Sequence, residues 1–484
     1  MTDELLKELI EKSLQAGRVF QSSQTGFVHY HHRLPLPAVH QTIPLYENCL
    51  FALALFRSHL IENVNEGKEL LGRILCFQSE EGDFPYYIHD FPRFPGAKIS
   101  LKLIPPFYWI LKDYGHILGK PLKMKLEQSL SALLLFSFHS HLKDPFPYTL
   151  EVLLMAGLQA AGELLSVEEW KQKGGEGWSG LARMHDSWNS TAYLADLLIA
   201  HQMNGKEELN WAPFWHYLSQ TWHPVLKSYT GPCVREWQER GEPQPNAYDL
   251  FMGYFFGSFS KRVKNTALYH LQGVLIQAVP RSFTPPTIPV QQSGSYKNQN
   301  WKLYSEKEYG WSLLEKKQVE GAVGEKMFTP FRLIAGSPDR LHTMVCQGGK
   351  FIREEFSESR QGLELFFYFD ENNGADEREK SRDICFYMDD HPNWSISFNG
   401  MKGSIFELGQ TVSIHLKDAL TLLVTFELVE GEGQFMGHVA KGNRPSQFQL
   451  VAEEKHFQAY DTIVFLRTVR RSPSCCIKAI VRFQ

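Results

Sequence analysis

Residues 185–190 read His-Asp-Ser-Trp-Asn-Ser, and side chains of these types at this spacing could handle an anion and a proton. Asn189 or Ser190 is a natural N-cap for a helix running on to His201, and capping alone accounts for either. The functional reading is that the Asn189 amide and the helix N-terminus together hold a substrate carboxylate, with His185 as the base or its partner. Trp188 beside them is a stacking platform or a core residue. Arg235 follows the Gly231-Pro232 turn amid Tyr229, Cys233 and Trp237. Its planar fork suits a uronate or sulfate, and pairing with a nearby acid would explain it as well. Tyr248 opens an apolar helix for which Asn246 is the cap, with Tyr254 further along. Either phenol could donate a proton, and either could equally be buried packing.

Two further segments carry polar tips among aromatics. Gly26 to Arg33 includes His29, His31, His32 and Arg33. His29 and His31 fall on one side if the run is extended. A metal would need two more ligands that the sequence does not visibly supply, so no metal and no cofactor are expected and the run is read as a substrate-facing wall. Tyr87, His89 and Arg93 lie in a comparable stretch from Tyr86 onward. Asp83, Asp90, Asp186 and Asp249 keep a third chemistry open, an inverting glycosidase with two carboxylates separated by a water. No GxSxG, Walker A, GxGxxG after a strand, or HExxH occurs, so nucleophilic-serine, nucleotide and zinc-protease readings have no support.

The elements that must position these residues change character near residue 285. Pro280, Pro285, Pro286 and Pro289 form a seam that cannot continue a helix. Before it, helical periodicity places segments at 3–16, 45–63, 66–78, 99–118, 121–140, 147–164, 190–203, 212–227, 246–260 and 261–278. Many form close antiparallel pairs, which stack as an open solenoid or close as a ring of inner and outer helices. No 34- or 40-residue self-similarity is visible, which favours the ring. After the seam come about twelve short alternating runs, separated by turns such as Gly348-Gly349, Asn372-Asn373-Gly374 and Asn399-Gly400. These are the marks of an antiparallel sandwich of two stacked sheets. The expected organisation is a helical domain over 1–283, a proline-rich linker over 284–295 and a sandwich over 296–484.

Composition bounds the partners. A chain of 484 residues with 43% hydrophobic and 21% charged residues is globular and long enough for two large domains. A net charge of −4 argues against a nucleic-acid partner. The N-terminal helix interleaves Asp3, Glu4, Glu8 and Glu11 with leucines, unlike a secretory signal, and no run of eighteen apolar residues exists. A cytoplasmic protein with no membrane partner is expected. The seven scattered cysteines fit reduced core thiols. The oligomeric state is not written in the sequence.

One local turn carries a resemblance. After the helix ending at Phe77, the sequence Gln78-Ser-Glu-Glu-Gly82-Asp83-Phe84 resembles the Gln-x3-Gly-x-aromatic turn found at helix ends in α/α-toroid proteins, including terpene cyclases and several glycan-degrading enzymes. Gly82 would supply a left-handed C-cap and Phe84 would fold back on the helix end. A helical toroid followed by an antiparallel sandwich is similar to the heparinase II/III-like and alginate-lyase-like polysaccharide lyases. Residues 228–237 also resemble a Gly-Pro-x-x-Arg-x-aromatic segment of proteins with this layout, with Trp237 where a tyrosine is expected. An indole cannot usefully donate a proton, so that position departs from the pattern.

The resemblance implies β-elimination on an acidic oligo- or polysaccharide in the toroid cleft, with the sandwich closing one wall. The carboxylate must be neutralised, a Tyr or His must take the proton beside it, and a Tyr must protonate the leaving sugar oxygen. His185, Asn189, Arg235 and Tyr248 are the expected catalytic set. Trp188, Trp237, His29, His31, Tyr87, His89, Arg93 and Tyr254 are the expected substrate contacts. A lyase-like protein that only binds glycan or acts as a scaffold is the alternative from a different class.

Overall fold

The computed structural model describes residues 2–30, 42–181, 191–204, 212–233, 246–259, 267–278, 285–296, 299–316, 329–347, 351–360, 362–370, 383–449 and 456–484. Its first half is helical. Two kinds of helix alternate, and the difference is visible in their residues. The helix α2 (Leu45–Arg57) is apolar almost all round and buries twelve of its thirteen residues, Tyr46 excepted. The next, α3 (Ile61–Ile74), buries only Val64, Gly67, Leu70, Leu71 and Ile74 and turns its acids and Lys68 outward. A helix apolar on every face must be covered on every face, and a striped one sits outside.

The covered kind recurs as α5 (Ile104–Tyr114), α7 (Tyr148–Leu165), α9 (Thr191–Asn204) and α11 (Ala247–Phe255). Among the outer helices are α1 (Thr2–Phe20), α6 (Lys120–Lys143), α8 (Glu168–Leu181) and α10 (Ala212–Thr221); α4 (Ala97–Ser100) is a single turn before α5. The inner helices pack in order, α2 on α5, α5 on α7, α7 on α9 and α9 on α11. A 3-10 segment, Leu268–Leu275, then packs on α11, α2 and α1 and closes the ring. Ser13 Oγ of α1 donates to His270 O across that closure at 2.6 Å.

Several inner helices run in the same direction, as contacts between their like ends show. Lys102, just before α5, lies 3.4 Å from Asp196 in the second turn of α9. Asn246, the cap of α11, donates to Thr191 Oγ1 at the start of α9 at 2.6 Å. At the opposite end, Arg57 of α2 donates to Ile276 O at 2.9 Å and lies 3.8 Å from Asp113 of α5. There Gln202 of α9 accepts from Gln277 N at 3.0 Å. Among the described residues the side chains between the inner helices are mostly apolar and buried, and the polar contacts lie at the two ends of the ring.

The Gln78–Gly82 turn works differently from the expectation. The Gln78 carboxamide donates to Gly82 O at 3.0 Å and to Ser129 O of α6 at 2.9 Å, tying the turn to the neighbouring helix. Gly82 has a φ of +107° but lies in the turn beyond the helix, and Phe84 packs on Phe107 of α5. A Cβ at Gly82 would sit 2.4 Å from Ala132 O. Gly82→Ala is therefore expected to cost roughly 2 kcal/mol or more, read as a lowered melting temperature.

The expected helix over 212–227 stops at Thr221. The chain then forms a short hairpin of β1 (Trp222–His223) and β2 (Ser228–Tyr229). The first sandwich strand, β3 (Val290–Tyr296), starts inside the stretch expected as linker, with Val290 already opposite Ser305. Among the described residues all strand pairings are antiparallel. Nine strands form one sheet in the order β12 (Ile405–Phe406), β15 (Gly433–Gln449), β16 (His456–Arg471), β10 (Ile384–Asp389), β7 (Arg340–Gln347), β6 (Phe331–Ser337), β5 (Tyr309–Leu314), β4 (Gln299–Ser305), β3. Six form the other: β11 (Trp394–Phe398), β13 (Thr411–Leu416), β14 (Leu420–Glu430), β17 (Cys475–Phe483), β9 (Gly362–Phe369), β8 (Arg353–Ser359). Between them Leu333, Met344, Phe386, Val424, Phe426 and Ile477 are buried, and Phe386 meets Phe426 at 6.0 Å across the gap.

The outer face of the larger sheet docks on the helical half through the hairpin. Arg332 donates to Tyr229 O at 2.7 Å, Ser312 Oγ to Gly231 O at 2.9 Å, and His223 Nε2 bonds Glu306 O at 2.6 Å. Leu226, Ile334 and Leu341 form the apolar patch of this contact. No helix among the described residues is long and apolar enough to cross a membrane.

Glu354 in β8 is fully buried, and neither carboxyl oxygen has a hydrogen-bond partner among the described residues. Burial first, then the nearby charge of Glu315, raises its pKa well above the ordinary value. An acid raised in the folded state stays protonated while its unfolded counterpart ionises above about pH 4.3, so stability falls from there up to the folded pKa. Glu354→Gln removes that titration. We expect its melting temperature to gain on the wild type as pH rises from 4 to 8, by on the order of 1 kcal/mol in stability.

Candidate functional site

At the N-terminal rim of the ring the structure brings together Asp196, Lys102 and the start of α2. Asp196 is 8% exposed in α9, and its carboxyl is 3.4 Å from the Lys102 ammonium, whose side chain is 39% exposed. Burial raises the Asp196 pKa, and the attraction of Lys102 opposes this without cancelling it. The ion pair thus has a hidden anion and a cation that solvent reaches. Tyr46, in the first turn of α2, keeps part of its side chain at the surface while its hydroxyl is densely surrounded. Burial first, and then Asp196, Glu47 and Cys49, push the phenol well above its ordinary pKa. Asp196 thus lies within electrostatic reach of a phenol held protonated and of an ammonium on a partly exposed side chain.

Segments bearing expected substrate contacts meet at the entry of α2. The chain around His29 and the chain around Tyr87 are both tied to the entry of α2. Tyr30 N donates to Thr42 O, Leu45 N to Tyr86 O and Ile88 N to Ile43 O, at 2.9–3.0 Å. Buried Asn48 holds this crossing by accepting from Val28 N at 2.8 Å and donating to Val28 O and Pro44 O. His29 Nε2 bonds Thr25 Oγ1 at 2.8 Å. Tyr87 is buried and packs edge-on against Tyr86 at 4.5 Å, which removes its ring from direct ligand contact. His89 and Arg93 are exposed on the turn that follows.

His31, His185, Trp188, Asn189, Arg235 and Trp237 lie outside the described residues, as does Asp186. The ends of the segments bearing most of them are described. Thr191 and Asn246, which follow residues 182–190 and 234–245, are the pair joined by the 2.6 Å bond at the rim.

Tyr248 and Tyr254 are corrections. Both are fully buried, and Tyr248 lies among the rings of Tyr229 at 5.6 Å and Trp222 at 6.0 Å. Asn246 does cap α11, accepting from Tyr248 N at 2.9 Å, and Asp249 closes the box by accepting from Asn246 N at 2.8 Å. The paired-aspartate chemistry loses members for the same kind of reason. Asp249 serves that cap, and buried Asp83 accepts from Phe84 N and Gly96 N at 2.8 and 3.1 Å.

Sequence reading missed Tyr46, Lys102 and Asp196. Its best signal was Asp196, an acid inside the otherwise apolar run Leu194-Ala-Asp-Leu-Leu-Ile. It also missed a buried pair in the sandwich. Asp389 accepts from Trp394 Nε1 at 2.9 Å and Thr343 N at 3.0 Å, and bonds His342 Nδ1 at 2.7 Å. His342 and Asp389 are 3% and 0% exposed as side chains, so this pair pins the sheet end and does not face a substrate. Among the described residues no three His, Cys, Asp or Glu side chains could jointly hold a metal ion.

No family model matches the chain, and no curated protein matches it. Among solved structures it is similar to a mutant of the heparan sulfate lyase HepC from Pedobacter heparinus, at 9% identity and a TM-score of 0.32, over 99% of this chain and 83% of that one. It is similar to a Paenibacillus xanthan lyase at 7% identity and a TM-score of 0.43, over 99% of this chain and 57% of that one. It is also similar to the endoglucanase CelQ from Clostridium thermocellum complexed with cellotriose, at 9% identity and a TM-score of 0.28, over 99% and 92%.

Proposed function

We propose that this protein binds a uronic-acid polysaccharide at the N-terminal rim of its helical ring and cleaves it by β-elimination. The observation that carries the reading is the partly exposed Lys102 side chain paired with buried Asp196, whose charge also acts on the protonated Tyr46 phenol, at the end of the ring where inner helices present their N-termini. In this reading Lys102, with Arg235 from the segment before α11, neutralises the uronate carboxylate. The helix N-termini add their positive ends to the same field. His185 or His29 takes the proton next to the carboxylate. The electron pair left behind forms the ring double bond, and the 4-linked oxygen leaves with a proton from Tyr46.

Incubation with uronate polymers tests this. Rising ultraviolet absorbance from an unsaturated uronate supports elimination. Saturable binding with no absorbance change favours the glycan-binding alternative, for which Trp237 in place of a tyrosine speaks. New reducing ends without absorbance would replace elimination with hydrolysis.

A further inference from the structure

A cavity lies in the sandwich, away from the ring's own rim residues. Where β4 and β5 of the larger sheet face β8, β9 and β17 of the smaller one, a cavity of about 530 Å³ opens. That volume falls within the range of small-molecule sites. One wall is a run of near-parallel rings drawn from both sheets. Tyr309 and Phe483 lie 5.5 Å apart at 2°, Phe483 and Trp311 at 5.9 Å and 16°, and Trp311 and Tyr304 at 5.8 Å and 27°. Strand alternation builds this wall: Tyr304 is opposite Trp311 in the β4–β5 register, so both project inward. Trp311 is the buried floor, while Tyr304, Tyr309 and Phe483 are half-buried and keep exposed ring surface.

The rim carries two guanidinium groups and a carboxylate. Arg360 and Arg482 line the cavity with Gln291, Ser359 and Glu358. Glu358 is met by Lys302 at 2.5 Å, so its charge is balanced from outside the rim arginines. The Tyr304 phenol donates to Glu306 at 2.6 Å, and that bond, with burial, pushes its pKa up to about 12. The wall therefore stays uncharged at neutral pH. Flat apolar rings suit the apolar face of a pyranose. The amide and hydroxyl at the edge suit its ring hydroxyls, and guanidinium forks suit a carboxylate or sulfate.

We infer that this groove is a second saccharide site, taking a sugar ring that bears a carboxylate or sulfate. It binds without chemistry and stands whether or not the ring cleaves anything. It would hold an acidic chain on the protein while another stretch occupies the ring.

The test uses the full chain and size-defined heparin and hyaluronan oligosaccharides, with dextran oligosaccharides as the neutral control, followed by titration calorimetry. To separate this site from the ring, the titrations run in the Lys102→Met background as well as in the wild type. Acidic oligosaccharides are expected to bind in both, and dextran at least tenfold more weakly. Phe483→Ala and Tyr309→Ala should each weaken binding about tenfold. Arg360→Ala, an exposed change that leaves the core intact, should weaken it severalfold and flatten its salt dependence. Binding that Lys102→Met abolishes and Arg360→Ala and Phe483→Ala leave unchanged would assign the sugar to the ring alone and overturn the inference. Equal affinity for dextran would overturn its acidic specificity, and no binding by any probe would overturn it outright.

Discussion

Asp389→Ala is expected to destabilise the sandwich by about 3–5 kcal/mol, because three buried groups lose their shared acceptor at about 1–3 kcal/mol each. The carboxylate is buried, and one side chain satisfies the His342 imidazole, the Trp394 indole and the Thr343 amide together. Truncation removes the acceptor that the three groups share inside the sheet, so the cost exceeds that of three average hydrogen bonds on a surface. The prediction is checked by calorimetry, with the variant's sandwich transition falling well below that of the wild type. A change below about 1 kcal/mol would mean that water or a rearranged neighbour replaces the carboxylate.

Tyr46→Phe is expected to lower kcat on a uronate polymer by about 10²–10⁴-fold, the span for losing a general acid, with little change in KM. Only an oxygen is removed, and the ring that packs at the start of α2 stays. The pH dependence follows from the raised pKa. A phenol held above its ordinary value of about 10 remains protonated through the alkaline range, so its ionisation should not reduce the rate below that pH. A wild-type rate in Tyr46→Phe would remove the phenol from the mechanism.

Much of the fold was legible because it rests on local periodicity. The uniform apolarity of α2 and α11 and the stripes of α3 mark the inner and outer helices, and the alternation of β9 and β14 marks the sheets. The failures have local causes too. The helix α8 went unseen because its glycines hide it. They are there for contact with α7: a Cβ at Gly174 would sit 2.3 Å from Gln159 N. The hairpin at 222–229 read as helix because its apolar residues answer to the sheet it docks on, which no local pattern records. The rim was legible only in part. His29 and the segment bearing Tyr87 do converge there, but they are brought together by Asn48 and the entry of α2. Tyr248 and Tyr254 looked like cleft tyrosines because a helix apolar on all faces gives no sign of which face meets solvent. Lys102 and Asp196 are 94 positions apart in sequence, and only ring closure makes them neighbours.

The central claim is that an acidic sugar chain sits at the N-terminal rim of the helical ring. Hydrogen–deuterium exchange of the full chain with and without a uronate oligosaccharide measures this directly. The account predicts slowed exchange in 42–47, 86–93, 98–104 and 191–196, and loss of that protection in Lys102→Met. Protection confined to the sandwich, or rim protection that survives Lys102→Met unchanged, would contradict it.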